Sequence, residues 1–195
     1  EVRRGTFHLE NASAELQDDR EIVMAAVAVN GFELQFSSER LQGDRDIVLE
    51  AVRENGHALE FASEEMKNDQ GIVRQALSLL YDDSPIVHAS EELKGNKDFI
   101  MFAIENSGGY ILEHASQNLR GNKEVVMAAV KENGFALDDA SLNLQDDKEV
   151  VMAAVMETGE AFQFASAKLK DDRDIVMKTM RTCGSWLLIT LVVKV

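Results

Sequence analysis

The sequence predicts an all-α fold, an α-solenoid of about seven 25-residue helix-turn-helix repeats, on three observations. The phrase LQDDREIVMAAV at Leu16–Val27 returns as LQDDKEVVMAAV at Leu144–Val155. Its centre recurs seven times, with middle residues Ile22, Ile47, Ile72, Phe99, Val125, Val150 and Ile175, at steps of 25, 25, 27, 26, 25 and 25. The small pairs Ala12-Ser13, Ser37-Ser38, Ala62-Ser63, Ala89-Ser90, Ala115-Ser116, Ala140-Ser141 and Ala165-Ser166 keep the same steps. Two separate anchors in one register, at a near-fixed period, are the signature of a stacked repeat.

Composition agrees with that reading. Of 195 residues, 45% are hydrophobic and 28% charged, which supplies an ordered core, and one Pro with 12 Gly leaves few interruptions to helix. Residues 1–184 are predicted to form the array, and 185–195 to form an apolar C-terminal segment.

Each unit starts on a cap. Asp19, Asp44, Asp69, Asn96, Asn122, Asp147 or Asp172 stands three residues before the middle position, where its side-chain oxygen accepts from the free N–H groups of a helix start. Two residues after the cap every copy but Gly71 places Glu or Asp, favourable at the positive end of the helix dipole. A first helix of about three turns follows. Ile22, Val23, Ala26 and Val27 illustrate its apolar stripe, which faces neighbouring copies.

Asn30-Gly31, Asn55-Gly56, Asn133-Gly134 and Thr158-Gly159 then supply a glycine that is expected to close the helix in the left-handed conformation. A second helix is expected to carry Leu34, Ser37-Ser38 and Leu41 in one copy and Leu137, Ala140-Ser141 and Leu144 in another, the small residues letting backbones approach. In the third copy Leu79 to Pro85 lengthens the turn, with Ser84 read as a cap and Pro85 at the first helical position. In the fourth, Asn106-Ser107-Gly108-Gly109 adds one residue. Helices of about ten residues do not persist alone in water, so stacking must hold them. The array opens inside a unit, at its second helix, as a segment of a longer array would.

The recurring phrase, clearest at Asp44–Met66 and Asn122–Leu144, resembles the repeat family known as domain of unknown function 4116. The resemblance runs from Phe7 to about Gly184 and implies a helical array with no common activity attached. Departures are local, at Gly71 and at the third and fourth turns.

Charge restricts the partners. Twenty Lys and Arg against 35 Asp and Glu give a net charge of −15, which repels phosphate backbones and anionic leaflets. The Lys and Arg that follow the caps are flanked by acids, without the basic and aromatic interleaving of RNA-reading repeats, so no nucleic acid is expected. The single cysteine, Cys183, excludes an intrachain disulfide. The first residue is Glu1 rather than Met, and the sequence leaves the compartment open. The longest apolar run, Trp186–Val193, is eight residues broken only by Thr190. A membrane-crossing helix needs about 20, so any membrane contact is peripheral.

No catalytic, cofactor or metal constellation emerges. His8, His57, His88 and His114 are dispersed, and His88 and His114 stand where Phe36, Phe61 and Phe164 stand in other copies, which favours packing. The repeated Ser lacks a nucleophile elbow and reads as a small packing residue. The acid pairs Asp18-Asp19, Asp82-Asp83, Asp138-Asp139, Asp146-Asp147 and Asp171-Asp172 lack the calcium-loop pattern and read mostly as caps. Met24, Met101, Met127, Met152 and Met177 make a stripe that reads as core filling.

The expected function is therefore non-catalytic: a protein-protein interaction scaffold presenting an acidic surface through outward positions such as Glu50, Arg53, Gln75, Lys131 and Met156. The alternative is a peripheral structural subunit of an organellar or photosynthetic membrane complex, motivated by the distribution of the family. It would dock through Trp186, Leu187, Leu188, Ile189, Leu191, Val192 and Val193, an apolar stretch unsuited to bare exposure in water.

Overall fold

A computed structural model of the chain describes residues 8–78 and 84–183. It falls into two compact units, Glu1–Leu93 and Lys94–Val195. All regular structure among the described residues is helical. Seven longer helices follow the seven caps: α1 Arg20–Val27, α2 Arg45–Glu54 and α3 Gln70–Leu77 in the first unit, then α4 Lys97–Ser107, α5 Lys123–Glu132, α6 Lys148–Glu157 and α7 Arg173–Cys183 in the second.

Every expected cap is made. The Oδ1 atoms of Asp19, Asp44, Asp69, Asn122, Asp147 and Asp172 each accept two backbone N–H groups of the first turn, at 2.7 to 3.3 Å. Asn96 accepts one, from Phe99 at 3.0 Å. Losing such a cap costs about 1 kcal/mol, a large share of what a three-turn helix has to lose. The expected stripe is the core: Ile47, Val48, Ala51 and Val52 of α2, and Val125, Val126, Ala129 and Val130 of α5, are fully buried.

The turn after each helix works differently from the expectation. No described glycine but Gly108 has positive φ. At the Asn-Gly turns the asparagine is extended instead (Asn55 at φ −149°, ψ 115°), its N–H closes the helix on Ala51 O, and its side chain accepts from His57 N. The glycine is required by proximity. A Cβ on Gly31 would lie 2.4 Å from Ala51 O, on Gly56 2.5 Å from Ala76 O, on Gly109 2.4 Å from Ala129 O and on Gly134 2.4 Å from Ala154 O. Each of these four copies thus lays its bare backbone on a carbonyl of the following helix within the same unit. In the fourth copy the inserted residue extends α4 to Ser107, and Gly108, at φ 91°, replaces the asparagine.

Nor is the second element one helix. It is a 3-10 segment (Gly31–Phe36, Gly56–Phe61, Gly109–His114, Gly134–Leu137, Gly159–Phe164), an extended break at the small pair, and a four-residue α-turn such as Glu39–Gln42 or Ala167–Lys170. The break follows from where one N–H goes. Ser38 N donates to Gln17 O and Ser63 N to Gln42 O, both at 2.9 Å, and Ser90 N donates to Lys67 O at 3.1 Å in the first unit. In the second, Ser116, Ser141 and Ser166 donate to Lys94, Arg120 and Gln145, each at 2.9 Å. An N–H committed to the preceding copy cannot continue a helix within its own. In the third copy the 3-10 place is taken by an α-turn, Ser84–Val87, which Ser84 opens from inside with Pro85 in its first turn; residues 79–83 lie outside the described ones.

Candidate functional site

The charged edge of each unit is built by the residue after the cap. Arg20 Nε donates to Asp44 at 3.0 Å and Arg20 Nη2 to Asp46 at 2.7 Å, while Arg45 reaches Asp69 at 2.8 Å. In the second unit Lys97 pairs with Glu124 at 2.5 Å, Lys123 with Asp147 and Glu149 at 2.7 and 2.8 Å, and Lys148 with Asp172 and Asp174, both at 2.8 Å. Arg20, Lys123 and Lys148 bridge to both the cap and the first-turn acid of the next copy, Arg45 to the cap alone and Lys97 to the first-turn acid alone. The neighbouring guanidinium therefore holds the Asp44 and Asp69 carboxyls below the usual range, and the lysine ammonium does so for Asp147 and Asp172. Sequence reasoning missed this ladder, although its signal was present: a cation follows the cap in every copy but the third, where Gln70 stands.

The serines and acid pairs join in the same construction. Ser38, Ser63, Ser90 and Ser166 accept from Leu41, Met66, Leu93 and Leu169 N, capping the α-turns rather than merely packing. Ser38 also donates to Asp18, and Ser166 to Asp146 at 2.6 Å, which, with Arg40 and Lys168, lowers those two carboxyls. In the pairs at 18–19, 146–147 and 171–172 the second acid is the helix cap, as expected. Asp138-Asp139 differs. Asp139 is half-buried, and burial, then Glu113 and Asp138, push its carboxyl upward. Asp82-Asp83 lies outside the described residues.

His88 and His114 are half-buried, like Phe36, Phe61 and Phe164 in the same place. That place is a surface seam: Phe32 meets Phe61 edge-on at 6.2 Å, and Phe135 meets Phe164 at 6.3 Å. His8 Nδ1 lies 2.8 Å from Glu33, whose other oxygen accepts from Leu9 N at 2.8 Å. Glu33 is a buried acid at a position that holds Ala58, Ile111, Ala136 and Ala161 elsewhere, a break in the pattern that sequence could have flagged. No group of three or more His, Cys, Asp or Glu among the described residues could hold a metal. No described helix is long and apolar enough to cross a membrane. The expected docking residues Trp186, Leu187, Leu188, Ile189, Leu191, Val192 and Val193 lie outside the described residues.

With the geometry in place, the comparison with known families decides what the repeats are. The family described as domain of unknown function (DUF4116) matches residues 2–42, 44–94, 77–120, 96–145, 122–168 and 147–189. The chain belongs to the DUF4116 family. No curated protein and no solved structure matches it.

Within this DUF4116 array, the caps and the apolar stripe recur in all seven copies and the close-approach glycine in four, whereas the outward side of the longer helices varies. In the first unit that side carries Glu50 and Arg53, 3.6 Å apart, with half-exposed Gln75 and Arg74. In the second it carries exposed Lys131 and Met156, half-buried Phe102, Ala128 and Ala153, and the methionine stripe. The stripe is not core, contrary to expectation: Met24 in the first unit and Met101, Met127 and Met152 in the second are half-buried, and Met177 is 41% exposed. It stands about 100° beyond the buried pair on each helix, so it borders solvent.

Proposed function

We propose that this DUF4116 chain is a non-catalytic protein-protein interaction scaffold that binds a protein partner, or a larger assembly, through the outward side of its longer helices. The observation that carries this reading is the division of each helix into an invariant buried half and a variable outer half. In the second unit the outer half is rich in methionine. Methionine is unbranched and polarizable and adapts to partners of several shapes, which suits a binding surface. Apolar side chains left at that surface also give an interface core. The net charge of −15 favours a partner with a basic rim.

The test is capture of partners by the immobilised chain, compared with a variant carrying Met156→Glu and Met177→Glu and with a control carrying Glu50→Lys and Arg53→Glu. Both methionines are exposed, at 55% and 41%, so the first variant should fold. The expected result is a defined set of partners, lost by the methionine variant and kept by the control. Capture indifferent to both pairs, or a turnover activity lost on changing one polar residue, would count against the scaffold reading.

A further inference from the structure

Along the seam formed by the 3-10 segments, one register carries the ring contacts: Phe32 and Phe61, and Phe135 and Phe164, each stand 29 residues apart. In the second unit the same spacing joins Tyr110 to Asp139, and Gly109–His114 packs on Gly134–Leu137. A tyrosine therefore meets a carboxylate where the next copy sets phenylalanine against phenylalanine. The tyrosine ring stays bare, since Tyr110 is 61% exposed. Phe135, four residues before Asp139, leaves part of its ring exposed as well.

The carboxylate is equally unused. Asp139 is half-buried, and its side chain makes neither a hydrogen bond nor an ion pair among the described residues. The corresponding acids of two other pairs are engaged, Asp18 by Ser38 and Asp146 by Ser166. Exposed Glu113 and Asp138 stand close enough to push the Asp139 carboxyl upward, and Arg120 opposes them without pairing with it. A half-buried, unpaired carboxylate costs free energy that a phenylalanine in the same place would not. Ring, carboxylate and two further acids all belong to the second unit, and a cation brought from outside would satisfy them together.

We propose that this stretch of the seam is a docking point for an arginine of a partner protein, its guanidinium lying on the Tyr110 ring and donating to the Asp139 carboxylate. Arginine carries a planar cation that stacks on an aromatic face and donates to a carboxylate at the same time, which the compact ammonium of lysine does less well. Charge complementarity sets the class of partner: Glu113, Asp138 and Asp139 repel an acidic segment and leave an apolar one with a carboxylate to bury. The surface is separate from the outward side of the longer helices, so it stands whether or not that side binds.

Fluorescence anisotropy of short labelled peptides with the full 195-residue chain tests this, comparing a pool fixed at a central arginine with pools fixed at lysine and at glutamate. The expected result is binding of the arginine pool, weaker binding of the lysine pool and none of the glutamate pool. Asp139→Asn should weaken the arginine pool roughly tenfold, and Tyr110→Ser about threefold or more. Asp171→Asn, which removes an exposed acid of the same unit, should leave it nearly unchanged. Asp139 supports no contact of the fold and Tyr110 is exposed, so both variants should keep their helical circular dichroism. Binding that falls equally with Asp171→Asn would report general negative charge and overturn the proposal, as would absence of binding. Binding that appears only after deletion of residues 185–195 also overturns it, by assigning the seam to the chain's own C-terminal segment.

Discussion

In Glu1–Leu93 the cations that bridge to the next cap are Arg20 and Arg45, the outward positions include Glu50, Arg53, Arg74 and Gln75 beside Met24 and Leu49, and one core place holds the buried acid Glu33. In Lys94–Val195 the bridging cations are Lys97, Lys123 and Lys148, the outward positions include Phe102, Met127, Ala128, Met152, Ala153 and Met156 beside Lys131, and the place of Glu33 holds Ile111, Ala136 and Ala161. Caps, close-approach glycines and backbone ladder are the same in both. The difference separates two kinds of position. Where a side chain would meet backbone, nothing but the observed residue fits, so the two units agree. Where it meets water or the tip of another side chain, several residues serve, and there the units diverge.

The largest expected effect tests that shared frame. Gly31→Ala in the first unit and Gly134→Ala in the second each drive a Cβ to 2.4 Å from a backbone carbonyl, that of Ala51 or Ala154. No rotamer relieves such an overlap, and about 3 kcal/mol or more of stability should be lost. Gly43 and Gly121 are the controls. They lie at negative φ, −100° and −96°, with the nearest atom to a built Cβ at 3.5 Å. Alanine there should be neutral or gain about 0.4 to 1 kcal/mol by restricting the unfolded chain. Urea unfolding of the four variants checks the ranking, and equal effects at all four would break the account of why the turns carry glycine.

A smaller effect distinguishes the arginine ladder from the lysine ladder. The bridged Asp44, Asp69, Asp147 and Asp172 carboxyls are all lowered by their cations, so their stabilisation is complete above the unfolded value, near pH 4, and is lost as pH falls through the folded values. Both units share this acid limb. At the alkaline end they part. Lys123 and Lys148 are raised by their carboxylate partners, so their contribution is complete below about pH 10 and disappears as pH climbs through the folded values. Arginine keeps its charge throughout. Replacing Lys123 and Lys148 by Arg should therefore leave the melting temperature at pH 7 almost unchanged and reduce its fall between about pH 10 and 12. An identical fall in both proteins would show that the lysine bridges contribute nothing measurable.

The period, the seven caps and the buried stripe were legible because each is a local rule: an oxygen three residues before an apolar anchor, and apolar residues at one face of a 3.6-residue turn. The second element was misjudged for a physical reason. Leu34, Ser37-Ser38 and Leu41 carry helical spacing, but the Ser38 N–H is spent on Gln17 of the preceding copy, and a bond to another copy leaves no trace in the local pattern. Gly31 was misjudged likewise, since an Asn-Gly turn suggests positive φ until the carbonyl of Ala51 is seen beneath it. The methionine stripe at Met101, Met127 and Met152 looked like core because its type is apolar; only its angular offset from Ile100, Val126 and Val151 places it at the edge. The fold was thus readable within a copy and unreadable between copies, and the outward surface of the second unit belongs to the second category.

The smallest expected effect concerns one place in the seam. The first unit puts Phe61 there, against Phe32, and the second puts Phe164 there, against Phe135, but one copy of the second holds Asp139 instead. Burial, Glu113 and Asp138 raise the Asp139 carboxyl, so its ionised form is a liability of the fold. The sign is opposite to that of the ladder: the cost is absent below the unfolded value and complete above the raised folded one. Asp139→Asn should accordingly raise the melting temperature slightly at pH 7, with the gain shrinking to nothing as pH falls below about 4. Thermal melts of the two proteins at both pH values settle it. A gain equal at the two pH values would mean that the asparagine acts through hydrogen bonding rather than through charge, and a loss at pH 7 would mean that the carboxylate supports the second unit after all, through Arg120, a neighbour that opposes the shift.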